Sequence, residues 1–268
     1  MVYLRSVKYI KDKHIDKERF PFNIPLIRAF EEVEFDSPVT IFVGENGTGK
    51  STIVEALAAS TGSVAAGGEF IENDETLKYA RELGECFKLT WNVRTHRGFF
   101  LRAEDFFNYA KKMSRIRAEM EERLLELEDE YKDKSAYALS YARMPYCGSL
   151  YEMEKMYGEG LDCNSHGEGF LKLFQSRLVP GGLYILDEPE AALSPMRQLA
   201  FVSMVKEMVD KRCQFIIATH SPIIMAYPGA AILSFDSIPI KKVKYDELEH
   251  VNIMRDFLNN PEQFLRHL

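Results

Sequence analysis

The sequence predicts an α/β fold with a mainly parallel sheet at its core. Three observations carry this prediction. Val39–Val43 (VTIFV), residues 183–186 (LYIL) and residues 215–218 (FIIA) are short apolar runs without polar alternation, as expected of strands buried on both faces. The first run leads directly into a glycine-rich turn and then a helical stretch, which is the opening of a strand–loop–helix unit. Helical spacing over residues 196–209 separates the other two runs, and strands that alternate with helices favour parallel pairing.

In chain order, residues 2–10 alternate loosely and read as a strand, 11–19 as a charged hairpin or loop, and 31–35 as a second strand. Pro21 and Pro25 punctuate the stretch between. After VTIFV a helix is expected at 51–59, a flexible loop at 62–68 and a strand at 87–93. Phe106, Ala110, Met113, Met120, Leu124, Leu127 and Tyr131 then fall at alternating spacings of four and three, interrupted only at Arg117. This heptad seam predicts a helix of about 26 residues, ~40 Å long. Its other faces are crowded with Glu, Lys and Arg, which fits either an amphipathic helix packed on the domain or a projecting antiparallel arm. Lys111, Lys112, Arg115 and Arg117 cluster there, readable as a solvated face paired with nearby Glu or as a nucleic-acid contact. Residues 158–169 form a second glycine-rich loop, 170–178 a helix, 232–235 a strand, and 246–258 and 261–268 polar helices.

The 268 residues are 46% apolar and 28% charged, an ordinary globular composition that excludes disordered and fibrous chains. Lys plus Arg number 34 and Asp plus Glu 41, a net charge of -7, which argues against coating nucleic acid by bulk charge but leaves room for a local basic groove. Cys86, Cys147, Cys163 and Cys213 form no CxxC pair and read as reduced thiols of a cytoplasmic protein. The N-terminus lacks the apolar core of a secretory signal. The least charged stretch, 215–235, is broken by Thr219, His220, Ser221, Pro222, Pro228 and Gly229, so no membrane insertion is expected.

Four motifs carry chemistry. Gly44, Glu45, Asn46, Gly47, Thr48, Gly49, Lys50 and Ser51 read GENGTGKS, followed by Thr52. Such a loop lets backbone N–H groups curl round phosphate oxygens at the positive end of a helix. Lys50 would reach β- and γ-phosphates, and Ser51 would hold Mg²⁺. LYILDE at 183–188 ends a buried strand in a carboxylate pair, with Asp187 a Mg²⁺ ligand through water and Glu188 the group that polarises the attacking water. FIIATHSP at 215–222 delivers His220 at the end of another buried strand, where it can donate a hydrogen bond to a γ-phosphate. NSHGEG at 164–169 is a glycine loop opening a helix, able to bind an anion with its N–H groups.

The order of these motifs resembles that of the ATP-binding-cassette ATPases. NSHGEG is similar to that family's signature loop, commonly LSGGQ, with Ser165 and Gly167 in the places of its Ser and second Gly. The resemblance implies a P-loop NTPase of the ABC-ATPase type: a single domain over 1–268, a mainly parallel core, an antiparallel N-terminal subdomain and an inserted helical segment at about 104–158. It implies an ATP-dependent head-to-tail homodimer, with ATP between one copy's P-loop and the other's signature loop. Lys50 and Ser51 then serve phosphate and Mg²⁺, Glu188 is the catalytic base, His220 senses the γ-phosphate, and Ser165 acts on the partner's nucleotide. DEPEAALSP at 187–195 and THSP at 219–222 resemble the RecF-like, SMC-like and OLD-like branch, in which DEPE-x-x-L-H-P is common; Ser194 stands where many members have His. The GFFLRAE segment at 98–104 and the run at 257–265 resemble small stand-alone bacterial AAA/ABC ATPases. One departure stands out: no glutamine lies between Lys50 and Leu173, so the family's Q-loop Gln is missing, and Arg102 or Glu104 stands there instead. Tyr9, Phe20 and Phe22 are candidates for stacking on adenine, each also readable as core.

Three functions compete. The first is an ATPase whose ATP-driven dimer acts on DNA, another nucleic acid or an effector protein, in DNA maintenance or defence. The second is the ATP-binding subunit of a membrane transporter, which shares the motif order. The third, a P-loop small-molecule kinase, leaves NSHGEG and His220 without a role.

Overall fold

The structure, a computed structural model, describes residues 1–10, 16, 18–65, 75–157 and 166–266. Its centre is a six-stranded sheet ordered β5-β6-β7-β3-β8-β9. These strands are β3 (Val39–Val43), β5 (Gly98–Arg102), β6 (Leu183–Asp187), β7 (Gln214–Ala218), β8 (Ala231–Ser234) and β9 (Lys241–Val243). The first five in that order run parallel, and β9 joins β8 antiparallel. The three apolar runs of the sequence are the three middle strands, and every residue of β3, β6 and β7 is buried. Their side chains alternate between two cores. Val39, Ile41, Tyr184, Leu186 and Ile217 enter one, while Phe42, Leu183, Ile185, Ile216 and Ala218 enter the other.

A separate antiparallel sheet, ordered β2-β1-β4, contains β1 (Leu4–Tyr9), β2 (Glu32–Glu34) and β4 (Phe87–Trp91). Two helices, α2 (Lys50–Thr61) and α3 (Lys78–Glu85), pack into the same core as this sheet. Their approach is close at Gly84, where an added Cβ would meet the Ala56 carbonyl oxygen at 2.8 Å. Gln214 fastens the two sheets together. Its fully buried side chain accepts from the Tyr3 and Leu4 N–H groups at 2.8 and 2.9 Å and donates to the Leu4 carbonyl at 3.0 Å. Buried amides are tolerated when all such groups are matched.

The other face of the six-stranded sheet is covered by α4 (Ala103–Glu130), α6 (His166–Arg177) and α7 (Pro195–Asp210). Phe106, Phe170, Phe174 and Phe201 form a continuous ring contact there. A turn at 131–135 reverses the chain from α4 into α5 (Ala136–Tyr157). Arg143 of α5 pairs with Glu128 of α4 at 2.7 Å. The two arginines of the basic cluster on α4 are matched along their own helix, Arg117 by Glu121 at 2.9 Å and Arg115 by Glu119 at 3.5 Å.

Short helices complete the chain: α1 (Pro25–Ala29) before β2, α8 (Pro222–Met225) after β7, then α9 (Glu249–Asn259) and α10 (Pro261–Leu265). Among the described residues no helix is long and apolar enough to cross a membrane. Cys86, Cys147 and Cys213 are free thiols; Cys163 lies outside the described residues, as do most of the 11–19 segment, the loop from 66 and most of the glycine loop at 158–169.

Several elements depart from the sequence reading. Residues 98–102 form strand β5, where the sequence announced none: its apolar run is only three residues, between Gly98 and Arg102. Gly98 begins it with φ +118°, and a Cβ there would collide with the Leu183 backbone. The helix expected at 170–178 begins at His166, so Gly167 and Gly169 are helical. The heptad seam supplies α4, but α5 has no apolar–polar period to announce it, because its outer face is itself apolar. Strand β9 pairs only three residues and is charged.

Candidate active site

The carboxyl ends of β5, β6, β7, β3 and β8 lie along one edge of the sheet, the edge at which α/β folds hold ligands. The register sets Arg102 beside Asp187, and Asp187 beside Ala218. Three of the four motifs of the sequence sit just past one of these ends, those of β3, β6 and β7. After β3 the chain turns through Gly44, Gly47 and Gly49, with φ of +148°, +83° and +97°. A side chain at Gly44 would press on Asp236 Oδ1 at 3.0 Å, and one at Gly49 on Ile24 at 3.2 Å. Asp236, just beyond β8, steadies this loop by accepting the Glu45 N–H at 2.6 Å. Thr48 donates its hydroxyl to the Glu45 carbonyl at 2.9 Å. Asn46 is exposed, and Thr52 is buried in the first turn of α2.

Lys50 is buried at the start of α2, where its Nζ donates to the carbonyls of Gly44 and Glu45 at 2.6 and 2.8 Å. Burial lowers its pKa, opposed by Asp236, Glu188, Asp187 and Glu45 nearby. Asp187, at the end of β6, is raised to about 7 by burial, against a hydrogen bond from Ser51 and with Glu55, Glu188 and Glu190 adding to the rise. Glu188 follows in the left-handed region at φ +49°. This is an unusual conformation for a non-glycine residue, and it turns the chain into the 3-10 segment Pro189–Ala192. His220, just past β7, has Nε2 3.7 Å from Glu188 Oε1, both side chains being partly exposed. Burial and the Lys50 charge lower its pKa, opposed by Glu188.

Thus Lys50, Ser51, Asp187, Glu188 and His220, drawn from three strand ends, share one site. Asp187 Oδ1, Glu190 Oε2 and His220 Nε2 are buried there without hydrogen-bond partners among the described residues. Such atoms are rare in folded proteins, and two carboxylate oxygens beside a lysine and a phosphate-type loop suit a cation held with an anion. Among the described residues no group of three or more His, Cys, Asp and Glu forms a metal cage. Mg²⁺ needs none, since it takes one or two protein ligands and completes its shell with water and phosphate. The residues therefore fit a divalent cation held beside a phosphate group.

Gly167 sits apart, in the first turn of α6. A Cβ there would strike Arg197 Cδ at 2.6 Å and the Ala192 carbonyl at 2.9 Å, and neighbouring Glu168 pairs with Arg197 at 2.7 Å. Ser165 lies outside the described residues. Among the aromatic candidates Phe22 is core, Tyr9 meets Phe87 edge-on, and Phe20 is exposed with its ring edge-on to Tyr79 at 4.9 Å.

Sequence reasoning missed two supports of this site. Glu190 accepts the His220 N–H through Oε1 at 2.6 Å, and burial raises its pKa. Its signal was present, as the second Glu of DEPE. The other is a buried polar chain beneath the P-loop helix. Glu55 accepts from Tyr79 and pairs with Arg102 Nη1 at 3.4 Å, and Arg102 grips Asp105 at 2.9 and 2.7 Å. Arg102, the candidate replacement for the Q-loop Gln, is thereby tied to α2 and α4; the side chain of Glu104 is outside the description. No local pattern links Glu55 to Arg102, which are 47 positions apart.

Two family models match the chain. One, described as "AAA domain", covers residues 23–85, and one described as "AAA domain, putative AbiEii toxin, Type IV TA system" covers 85–226. The OLD nuclease of Thermus scotoductus is 32% identical over 89 residues, 33% of this chain and 16% of that protein. The chain thus matches only about a sixth of that relative's length. Among solved structures, an SMC head domain with extended coiled coil bound to the C-terminal domain of ScpA, from Pyrococcus furiosus, aligns with a TM-score of 0.44 at 13% identity, covering 96% of this chain and all of that one. A nucleotide-free ATP-binding cassette from an ABC transporter aligns with a TM-score of 0.47 at 15% identity, covering 98% and 97%.

Proposed function

Because the chain belongs to the AAA domain family matched over residues 85–226 and is a P-loop ATPase of the AAA/ABC type, we propose that it binds and hydrolyses Mg·ATP at the carboxyl edge of its six-stranded sheet. The observation that carries this reading is the convergence of Lys50, the Ser51–Asp187 pair, Glu188 and His220 on one site with unpartnered buried oxygens.

In this reading the loop of residues 44–51 binds phosphate oxygens through its N–H groups, and Lys50 Nζ turns from the loop carbonyls to the β- and γ-phosphates. Ser51, and Asp187 through water, would hold Mg²⁺, which when bound would offset phosphate charge. Glu188 takes a proton from the attacking water, a step such positioned bases accelerate by roughly 10²–10⁴-fold. His220 donates through Nε2 to the γ-phosphate, and Glu190 fixes the backbone from which it reaches. Ser165 and Gly167 complete the site of a second copy, giving a head-to-tail dimer that forms with ATP. The whole chain acts as one ATPase domain with α4–α5 as its insertion, in the cytoplasm. Its ATP-driven dimer works on nucleic acid or a partner protein; the OLD nuclease relative favours a role beside nucleic acid.

The test is light scattering of Glu188→Gln with Mg·ATP, with and without duplex DNA. An ATP-dependent dimer is expected. A variant that hydrolyses ATP at the wild-type rate would remove Glu188 from its role, and a dimer that ignores DNA would send the search to protein partners. Ser165→Arg should bind ATP and fail to dimerise; unchanged ATP-dependent dimerisation would overturn the signature-loop assignment.

A further inference from the structure

We propose that the outer face of α5 is a second dimerisation surface, on which two copies of this chain pack antiparallel about Met144 without nucleotide. Tyr137, Tyr141, Met144 and Tyr151 lie on this face, 81%, 68%, 61% and 64% exposed. With Gly148 they form a stripe at spacings of four, three, four and three, the pattern of a helix that packs along another helix. The inward face of α5 is already used against α4 and α6, and among the described residues the stripe has no partner.

Two features separate it from an ordinary solvated face. First, it lacks charge. From Tyr137 to Tyr151 the only charged residue is Arg143, which is committed to Glu128. The outer face of α4, by contrast, is covered with Arg–Glu pairs. Second, tyrosine and methionine are the residues enriched where proteins meet.

The occupant is read from the stripe's own symmetry. Its residues lie seven and three positions before Met144 and four and seven after it. A two-fold axis at Met144 therefore brings Tyr137 against Tyr151 of the other copy and Tyr141 against Cys147, one position before Gly148. Gly148 is open, since a Cβ there would meet nothing within 4 Å. A groove of about 410 Å³ beside it, lined by Ala136, Leu139, Ser140, Arg143, Met144 and Cys147, can receive the edge of a ring. The charges at the ends also match. Exposed Lys134 falls opposite Glu154, and exposed Asp133 opposite Lys155, an arrangement that rewards the antiparallel sense. Three tyrosines at roughly 150 Å² each, with Met144 and the flanking pairs, bring each copy near the ~800 Å² of a standard interface.

The test uses the full chain without nucleotide and with EDTA, by analytical ultracentrifugation. A dimer is expected at micromolar concentration, and Tyr141→Glu should weaken it by roughly 30-fold or more. Met144→Cys in a Cys147→Ser background should cross-link to itself on mild oxidation, whereas Leu125→Cys on α4 should not. A nucleotide-free wild type that stays monomeric overturns the proposal and leaves the stripe to a partner of different sequence. Equal cross-linking at 125 and 144 overturns the register. A double variant, Tyr141→Glu with Glu188→Gln, separates this surface from the proposed ATP dimer. It should still associate with Mg·ATP; if it does not while Glu188→Gln does, the two interfaces are one and the α5 proposal fails.

Discussion

The sheet edge and the α4–α5 hairpin depart from ordinary packing in opposite directions. At the sheet edge, polar atoms of Asp187, Glu190 and His220 are buried without partners among the described residues. Along α5, tyrosines that would normally be covered stand in water. Each departure has a cost: about 1–3 kcal/mol for an unmade buried hydrogen bond, and a similar amount for a large apolar side chain left exposed. The difference lies in how much each region says about what completes it. At the sheet edge, charge and direction narrow the partner to an anion with a cation, the reading proposed above. The hairpin specifies only shape, apolarity and a two-fold spacing.

The comparison breaks or sharpens under substitution. The largest effect is expected at Glu188. Glu188→Gln should lower turnover about 10²–10⁴-fold while ATP affinity, read by titration calorimetry, stays unchanged; parallel loss of both would make Glu188 a structural residue. Next is Arg102→Leu, which leaves the Glu55 carboxylate buried and unbalanced. A loss of about 3–5 kcal/mol in urea melts is expected, with double substitution of Glu55 and Arg102 by apolar residues recovering much of it.

Asp187 gives a pH-dependent effect of intermediate size. Burial raises its pKa from 3.8 to about 7, so the folded chain holds this proton more tightly than the unfolded one. That contribution is present below about pH 4 and is lost as pH rises towards 7. Nucleotide-free Asp187→Asn should therefore gain up to about 4 kcal/mol over wild type at pH 8 and nothing at pH 4. It should also lose the stabilisation that Mg·ATP gives. Melts at the two pH values decide it, and a variant with the wild-type pH slope would refute the assignment. The smallest effect belongs to the hairpin: Tyr151→Ser in dilute protein should shift monomer stability by under ~0.5 kcal/mol. A loss of several kcal/mol would mean that the stripe is core.

What could be read in the sequence follows the range of the signal. VTIFV, LYIL and FIIA became the three central strands because unbroken apolarity is a local property that burial on both faces enforces. The glycine loop at 44–51 was legible because its backbone conformation restricts residue type, as the positive φ at Gly47 and Gly49 illustrates. Strand β5 was missed although it is as long as the three that were read: Gly98 opens it and Arg102 closes it, so only Phe99–Leu101 forms an apolar run. Helix α5 was covered only by the inserted helical segment at about 104–158 that the family resemblance implied; with both faces apolar, it shows no apolar–polar contrast of its own. The Tyr79–Glu55–Arg102 chain joins residues of α3, α2 and β5 that lie 24 and 47 positions apart, and only tertiary packing brings them together.

The Gln214 amide has a mechanical consequence. Its three hydrogen bonds weld the N-terminal sheet to β7, and β7 ends two residues before His220. Force applied at the amino terminus therefore reaches His220 through stiff, hydrogen-bonded sheet rather than compliant loop. A bead, surface or fluorophore attached there would load the chemistry directly. The quiet handle is α10 at the opposite terminus, exposed along its length, where a tether can pull without strumming the site.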